Sequence, residues 1–247
     1  MTETPFYVVF GDVHNDISLL AGIPDLDRAE GIIISGDLTL GGGVQEALRV
    51  LEPAARNAAK LFAQIGNMDK AEITTLLKDR GWNLHAEAVR IFPGVYALGL
   101  GTCPVTPFHT PSEYTEERLA EWLEETAAAA ETAFAAERAS GTGDAALRGQ
   151  PARVLVSHTP PYGTACDRLK TGGHAGSRAV RDFIEKYRPE VCLCGHIHEA
   201  RGEDRLGPTQ IVNPGPLSSG SYALLLHGGG HGGTGVRAEL LRTPPCT

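Results

Sequence analysis

Short unbroken apolar runs alternate along this chain with segments whose apolar residues recur at helical spacing. Phe6–Phe10 (FYVVF), 31–35 (GIIIS) and 61–65 (LFAQI) are runs of the first kind. Such a run, apolar on both faces, predicts a strand buried in the middle of a sheet. Residues 95–101, 153–157 and 191–194 repeat the pattern, and 210–212, 222–226 and 235–241 predict a closing set of strands. Between them, 44–51 places Val44, Ala47, Leu48 and Leu51 on one helical face. A helix over 70–80 follows Asp69 as a candidate cap and stops at Gly81, and Ser177 can cap a helix through 188. A long helix is predicted over 115–139, with Leu119, Trp122 and Leu123 as its stripe and an Ala-rich second half. Residues 140–151 read as a loop, and 227–234 as a Gly- and His-rich hairpin loop. Strands alternating with helices predict an α/β fold.

The strands end alike. Gly11-Asp12, Gly36-Asp37 and Gly66-Asn67 close the first three runs, His158 closes another, and Gly195-His196 a fifth. Glycine lets the backbone turn tightly, and the polar side chain then stands just beyond the strand's C-terminal end. In open α/β sheets that edge is where ligands bind.

Composition narrows the rest. The 247 residues fit a single domain, 1–247, with a helical insertion at about 112–150. The net charge is −8, which disfavours nucleic acid as a partner but leaves a small phosphorylated substrate or a phosphoprotein open. Five cysteines without framework spacing predict no disulfide scaffold and a reducing compartment. No leader is read at the start and no stretch approaches the ~20 apolar residues of a membrane span, so a cytoplasmic protein with no membrane partner is expected.

The polar residues after the strands are Asp12 with His14, Asp37, Asn67, His158, and His196 with His198. Carboxylate, amide and imidazole together favour Mn, Fe, Zn, Co or Ni over Mg or Ca, with Mn or Fe preferred here. Seven donors exceed one ordinary site. They suit two divalent or trivalent ions ~3.5–4 Å apart, bridged by a carboxylate. Such a pair clamps a phosphate and lowers the pKa of a bridging water, whose hydroxide attacks phosphorus in line. Any one of these signals alone is usually a turn or a cap. Their joint occurrence, in order and all at strand ends, points to a metal site.

The order Asp12-Val13-His14, Gly36-Asp37, Gly66-Asn67-x-Asp69, Ser157-His158 and Gly195-His196-Ile197-His198 resembles the calcineurin-like metallophosphoesterase superfamily. The resemblance implies a four-layer α/β/β/α sandwich with the site at the strand ends. It implies one metal held by Asp12, His14, Asp37 and His198, and another by Asp37, Asn67, His158 and His196, with Asp37 bridging. The stretches 158–163, 173–177, 194–199 and 212–216 look like a branch of predicted Icc-related phosphoesterases. One residue departs from the superfamily's pattern. Much of the superfamily has His, the proposed general acid or phosphate contact, where this chain has Met68, and Met cannot donate a proton. Asp37 and Asn67 are therefore the expected catalytic residues, with His174, in its Gly-flanked loop, as the candidate replacement acid.

Other polar residues draw no assignment. Cys192 and Cys194 read as small buried side chains, His227 and His231 as solvent-exposed, and His85 and His109 lack supporting neighbours. Asp69 caps the next helix or braces the site. Phosphomonoester or phosphodiester hydrolysis is the expected function. The alternative is a non-catalytic metal- or ligand-binding protein on the same fold, which Met68 favours. The long helix is also a candidate homodimer interface.

Overall fold

The computed structural model describes residues 4–140, 150–228 and 235–244. In chain order the elements are β1 (Phe6–Phe10), β2 (Gly31–Ile34), α1 (Val44–Arg56), β3 (Leu61–Ala63), α2 (Glu72–Asp79), β4 (Ala88–Phe92) and β5 (Val95–Leu100). Then come β6 (Cys103–Pro104), β7 (Glu113–Tyr114), α3 (Glu116–Ala139), β8 (Ala152–Ser157), α4 (Arg178–Tyr187) and β9 (Val191–Leu193). The chain closes with β10 (Gly202–Leu206), β11 (Thr209–Asn213), β12 (Ser221–His227) and β13 (Val236–Arg242).

Two sheets stack face to face. One has the order β13-β12-β1-β2-β3, the other β10-β11-β9-β8-β5-β4. Each has a parallel block, β1-β2-β3 and β5-β8-β9-β11; antiparallel strands flank it on one side in the first sheet and on both sides in the second. Alternate side chains leave each strand on opposite faces, so the buried runs feed two cores at once. Tyr7, Val9 and Ile33 meet Val154, Val156 and Leu193 between the sheets. Val8, Phe10, Ile32 and Ile34 face α1 and α2 through Ala47, Leu51, Ile73 and Leu77. Leu98, Leu155 and Cys192 face α3 and α4 through Leu119, Leu123, Phe134, Val180 and Phe183. The result is the four-layer α/β/β/α sandwich. Among the described residues no helix is long and apolar enough to cross a membrane.

Several expectations change. Helix α1 runs past 51 to Arg56 with Pro53 inside it. Asp69 does not cap α2, whose N-cap position is Ala71. Instead its carboxylate turns into the site. The marginal strands β4 and β10 carry charged, half-exposed residues and lack the apolar run that marks a central strand. His227 is half-buried rather than exposed, its ring stacked on Phe92 at 4.8 Å. His231, most of the predicted hairpin loop, and 141–149 of the predicted 140–151 loop lie outside the described residues. The apolar face of α3 packs on its own sheet and α4.

Candidate metal centre

The C-terminal ends of the central strands of both sheets open on the same edge. There the chain makes turns that most residues avoid. Asp12, His14, Asp37 and His196 have φ of 48°, 49°, 50° and 65°. A left-handed backbone costs a non-glycine residue energy, and it persists only where the surroundings hold it. Here the turns after β1 and β2 hold each other: the N–H groups of Val13 and His14 both donate to Asp37 O, and Asp12 N donates to Gly36 O.

Two glycines make room for the Asp37 and Asp12 side chains. A Cβ on Gly66 would fall inside contact distance of the Asp37 Oδ1 and backbone N. A Cβ on Gly195 would stand 2.6 Å from Asp12 Oδ2.

The seven sequence-predicted donors converge. Metal-capable atoms of Asp12, His14 and His198 lie within 4.8 Å of one another, as do those of Asp12, Asp37 and His158. Nε2 of His14 is 3.1 Å from Nε2 of His198. Asn67 Oδ1 lies 3.0 Å from His158 Nε2 and 2.8 Å from His196 Nδ1. Asp37 reaches both ways, Oδ2 at 3.8 Å from His14 Nε2 and Oδ1 at 3.5 Å from His158 Nε2.

Four of the donors, Asp12, His14, Asp37 and Asn67, are aimed by a neighbour. Asp37 Oδ1 accepts the Met68 N–H at 2.8 Å, and both Asp12 oxygens accept the His196 N–H at 3.1 Å. His14 Nδ1 is 3.4 Å from Thr39 O, which leaves Nε2 for the centre. The Asn67 amide donates to Thr110 Oγ1, fixing its oxygen inward. Thr110 in turn donates through N–H and Oγ1 to Glu113, which also takes both donors of Thr106. Burial works to raise the Glu113 pKa, but these four donors outweigh it and hold it at about 2.

Three further residues support the site: Asp69, for which the sequence left open a cap or a brace, and Asn213 and Gln64, which the sequence did not single out. Asp69, fully buried, accepts the N–H groups of Leu38, Thr39 and Gly66 and the Thr39 hydroxyl. The Asn213 amide, equally buried, donates to the carbonyls of Cys166, Gly195 and Ile197 and accepts the Gly215 N–H. Gln64 sends its amide to the carbonyls of Ser35, Leu100 and Val156, tying both sheets together at their strand ends. A buried Gln inside an apolar run, and an Asn ending a strand, were the available signals.

The charge balance favours a cation. Burial alone would lower the His158 pKa, yet the carboxylates of Asp37, Asp12 and Asp69 outweigh it and lift it to about 9. His196 moves the other way, to about 4, through desolvation and the charge on His158. A proton on His158 is thus held where two carboxylates and several lone pairs face inward.

The structure does not bring His174 to this cluster's cavity. Its Nδ1 pairs with Asp167 Oδ1 at 2.6 Å, and the Asp167 carboxylate also anchors the loop through the N–H groups of Gly163, Thr164 and Gly176. His85 is buried, accepting the Gly101 N–H with its ring against Trp122, while His109 is exposed. Cys192 and Cys194 are buried free thiols.

A family model described as metallophosphoesterase, calcineurin superfamily, matches residues 146–229. The uncharacterized protein MJ1162 of Methanocaldococcus jannaschii is 31% identical over 197 residues, covering 78% of this chain and 80% of that one. The chain belongs to the calcineurin metallophosphoesterase superfamily. Its fold is shared with TT1561 of Thermus thermophilus at a TM-score of 0.62 and 17% identity, over 98% of this chain and 100% of that one. A dimetal phosphatase from Danio rerio matches at a TM-score of 0.55 and 11% identity, over 97% of this chain and 99% of that one. Metallophosphoesterases use divalent ions, and this donor set fits them. Two imidazole nitrogens 3.1 Å apart and an amide oxygen facing two more leave lone pairs that only a cation or a proton can satisfy.

Proposed function

We propose that this metallophosphoesterase hydrolyses a small phosphomonoester or phosphodiester at two ions, with Mn or Fe preferred. Asp12, His14, Asp37 and His198 hold one ion, and Asp37, Asn67, His158 and His196 the other. The observation that carries this reading is the placement of Asp37, whose two oxygens face imidazoles of both groups. Bound ions would supply Lewis acidity towards the phosphoryl oxygens and the attacking water. The chain's own part is to fix seven donors before a substrate arrives, and the left-handed turns and buried braces support that role. The net charge of −8 favours a small ester over nucleic acid, and cysteines without framework spacing favour a cytoplasmic protein.

A second reading, a metal- or ligand-binding protein without turnover, is favoured by Met68, which lines the cavity and has no proton to give. Metal-stripped protein resupplied with Mn²⁺ is the test, using nitrophenyl phosphate and bis-nitrophenyl phosphate. Turnover should return with metal and fall at least about a hundredfold in Asp37→Asn, the scale set by loss of a group stabilising transition-state charge. His174→Ala belongs in the same assay, and an unchanged rate on an alkyl diester removes His174 as the acid. Tight binding of two ions without hydrolysis of either ester makes the second reading the right one.

A further inference from the structure

The cavity over the candidate ligands has a volume of about 640 Å³. Beyond the ligands, its walls are Leu40, Met68, Phe108 and Pro216, with the hydroxyl-bearing Thr110 and Ser218. Among the described residues, no lysine or arginine lines it. Leu40 and Phe108 are 60% and 82% exposed, and Val105 is the third large apolar side chain so exposed among the described residues. A single exposed Leu or Phe is ordinary, but two on the rim of one cavity beside a polar cluster form a binding patch.

We propose, building on the hydrolase reading, that the substrate is a phosphate ester of an aromatic alcohol, its ring seated among Leu40, Met68 and Phe108. Three features select this class. Phe108 offers a ring for edge-to-face or offset contact, and the Met68 thioether is a favourable neighbour for an aromatic edge. With no lysine or arginine in the lining among the described residues, the further phosphates of a polyphosphate or polynucleotide have no partner beyond the ion site. Lastly, apart from the ligands themselves, the walls offer only weakly acidic hydroxyls as proton donors. A phenolate needs less help than an alkoxide, since a phenol ionises near pH ~10. In the reaction water's oxygen bonds to phosphorus, the bond from phosphorus to the aryl oxygen breaks, and its electron pair leaves on the phenolate. The phenolate then takes a proton from solvent, and the water's proton is released.

The wall is built in advance. Phe108 rides on the 106–113 segment, which Glu113 gathers through Thr106 and Thr110. Ser112 pins the segment to the turn after β3, its N–H on Asn67 O and its hydroxyl on Asp69 O. An aromatic group therefore meets a segment whose backbone is already held, which lowers the entropic cost of binding.

The test is calorimetric titration of the full Mn²⁺-loaded chain with 1-naphthylmethylphosphonate and methylphosphonate, in the wild type and in Leu40→Ser/Phe108→Ser. Both side chains are exposed, so the double variant keeps its cores, and its ion stoichiometry verifies this. The naphthyl ligand should bind about tenfold tighter than the methyl one, as expected for ~60 Å² of apolar surface leaving water, and the gap should close in the variant. Equal affinities in the wild type, or a gap that survives in the variant, overturn the proposal. Hydrolysis of 1-naphthyl phosphate and glycerol 2-phosphate separates the two ideas. If both are hydrolysed while the phosphonates bind equally, the aromatic pocket fails and the hydrolase stands. If naphthyl binding is preferred but neither ester is hydrolysed, the substrate claim and the hydrolase reading fail together.

Discussion

Asp69 and Asn213 do the same job on opposite sides of the site with opposite chemistry. Asp69 gathers hydrogen-bond donors from the turns after β2 and β3, while Asn213 gathers carbonyls from the turn after β9 and from Cys166. The difference matters because a backbone N–H has one bond to give and a carbonyl oxygen has two lone pairs. Gly195 O also accepts the Ile197 N–H, and Ile197 O the Ala200 N–H. Losing Asp69 strands four donors, whereas losing Asn213 strands one, the Gly215 N–H, and leaves two of its three carbonyls with a partner. The side carrying the carboxylates and Asn67 should thus depend more on its brace than the side carrying His196 and His198.

The strongest way to break this comparison is Asp69→Ala. It leaves four donors without their acceptor, so we expect a loss of about 3–5 kcal/mol in denaturant unfolding and of both ions in metal analysis. An unfolding midpoint close to wild type would show that water replaces the carboxylate. Asn213→Ala should cost less, about 2 kcal/mol. It should weaken ions through His196 and His198, read as lower affinity in Mn²⁺ titration. If its cost equals that of Asp69→Ala, the donor–acceptor argument is wrong.

Gly66→Ala sharpens the contrast at Asp37 itself. Its methyl would press on Asp37, so the expected effect is at least about tenfold weaker ion binding, the scale for disturbing a ligand's support. Retained affinity would mean that the turn shifts freely.

The smallest effect concerns the strap over Asn67. Glu113 sits at about 2 in the folded protein, below the ~4.3 of an unfolded glutamate. Its depressed pKa stabilises the fold above the unfolded value and loses that contribution as pH falls towards 2. The difference in melting temperature between wild type and Glu113→Gln should therefore be constant near neutral pH and shrink below about 4. A difference that ignores pH would show that shape alone, not charge, holds the strap.

The buried central strands and the seven converging donors were legible because each strand is a short apolar run and each donor follows its end. The braces were less so. In sequence Asp69 reads as either a helix cap or a brace, since its partners at 38 and 39 lie some thirty residues back and only the folded turn brings them close. The apolar rim was illegible for a similar reason: Leu40, Met68 and Phe108 lie far apart in the chain and meet only over the strand ends. For His174, a Gly-flanked loop gives no hint of Asp167, with which its Nδ1 pairs.

Gln64 has a consequence for how the molecule comes into being. Its three acceptors belong to residues 35, 100 and 156, at separations of 29, 36 and 92 positions. During synthesis, the amide can meet the first early and the last only after β8 has emerged. The donors from Asp12 to Asn67 thus wait on a half-closed seam until more than half the chain exists. On the proposed ligand set, metal capture by all seven residues would accordingly be a late event in biogenesis, and contacts of such long separation place the closing of the two sheets among the slow steps of folding.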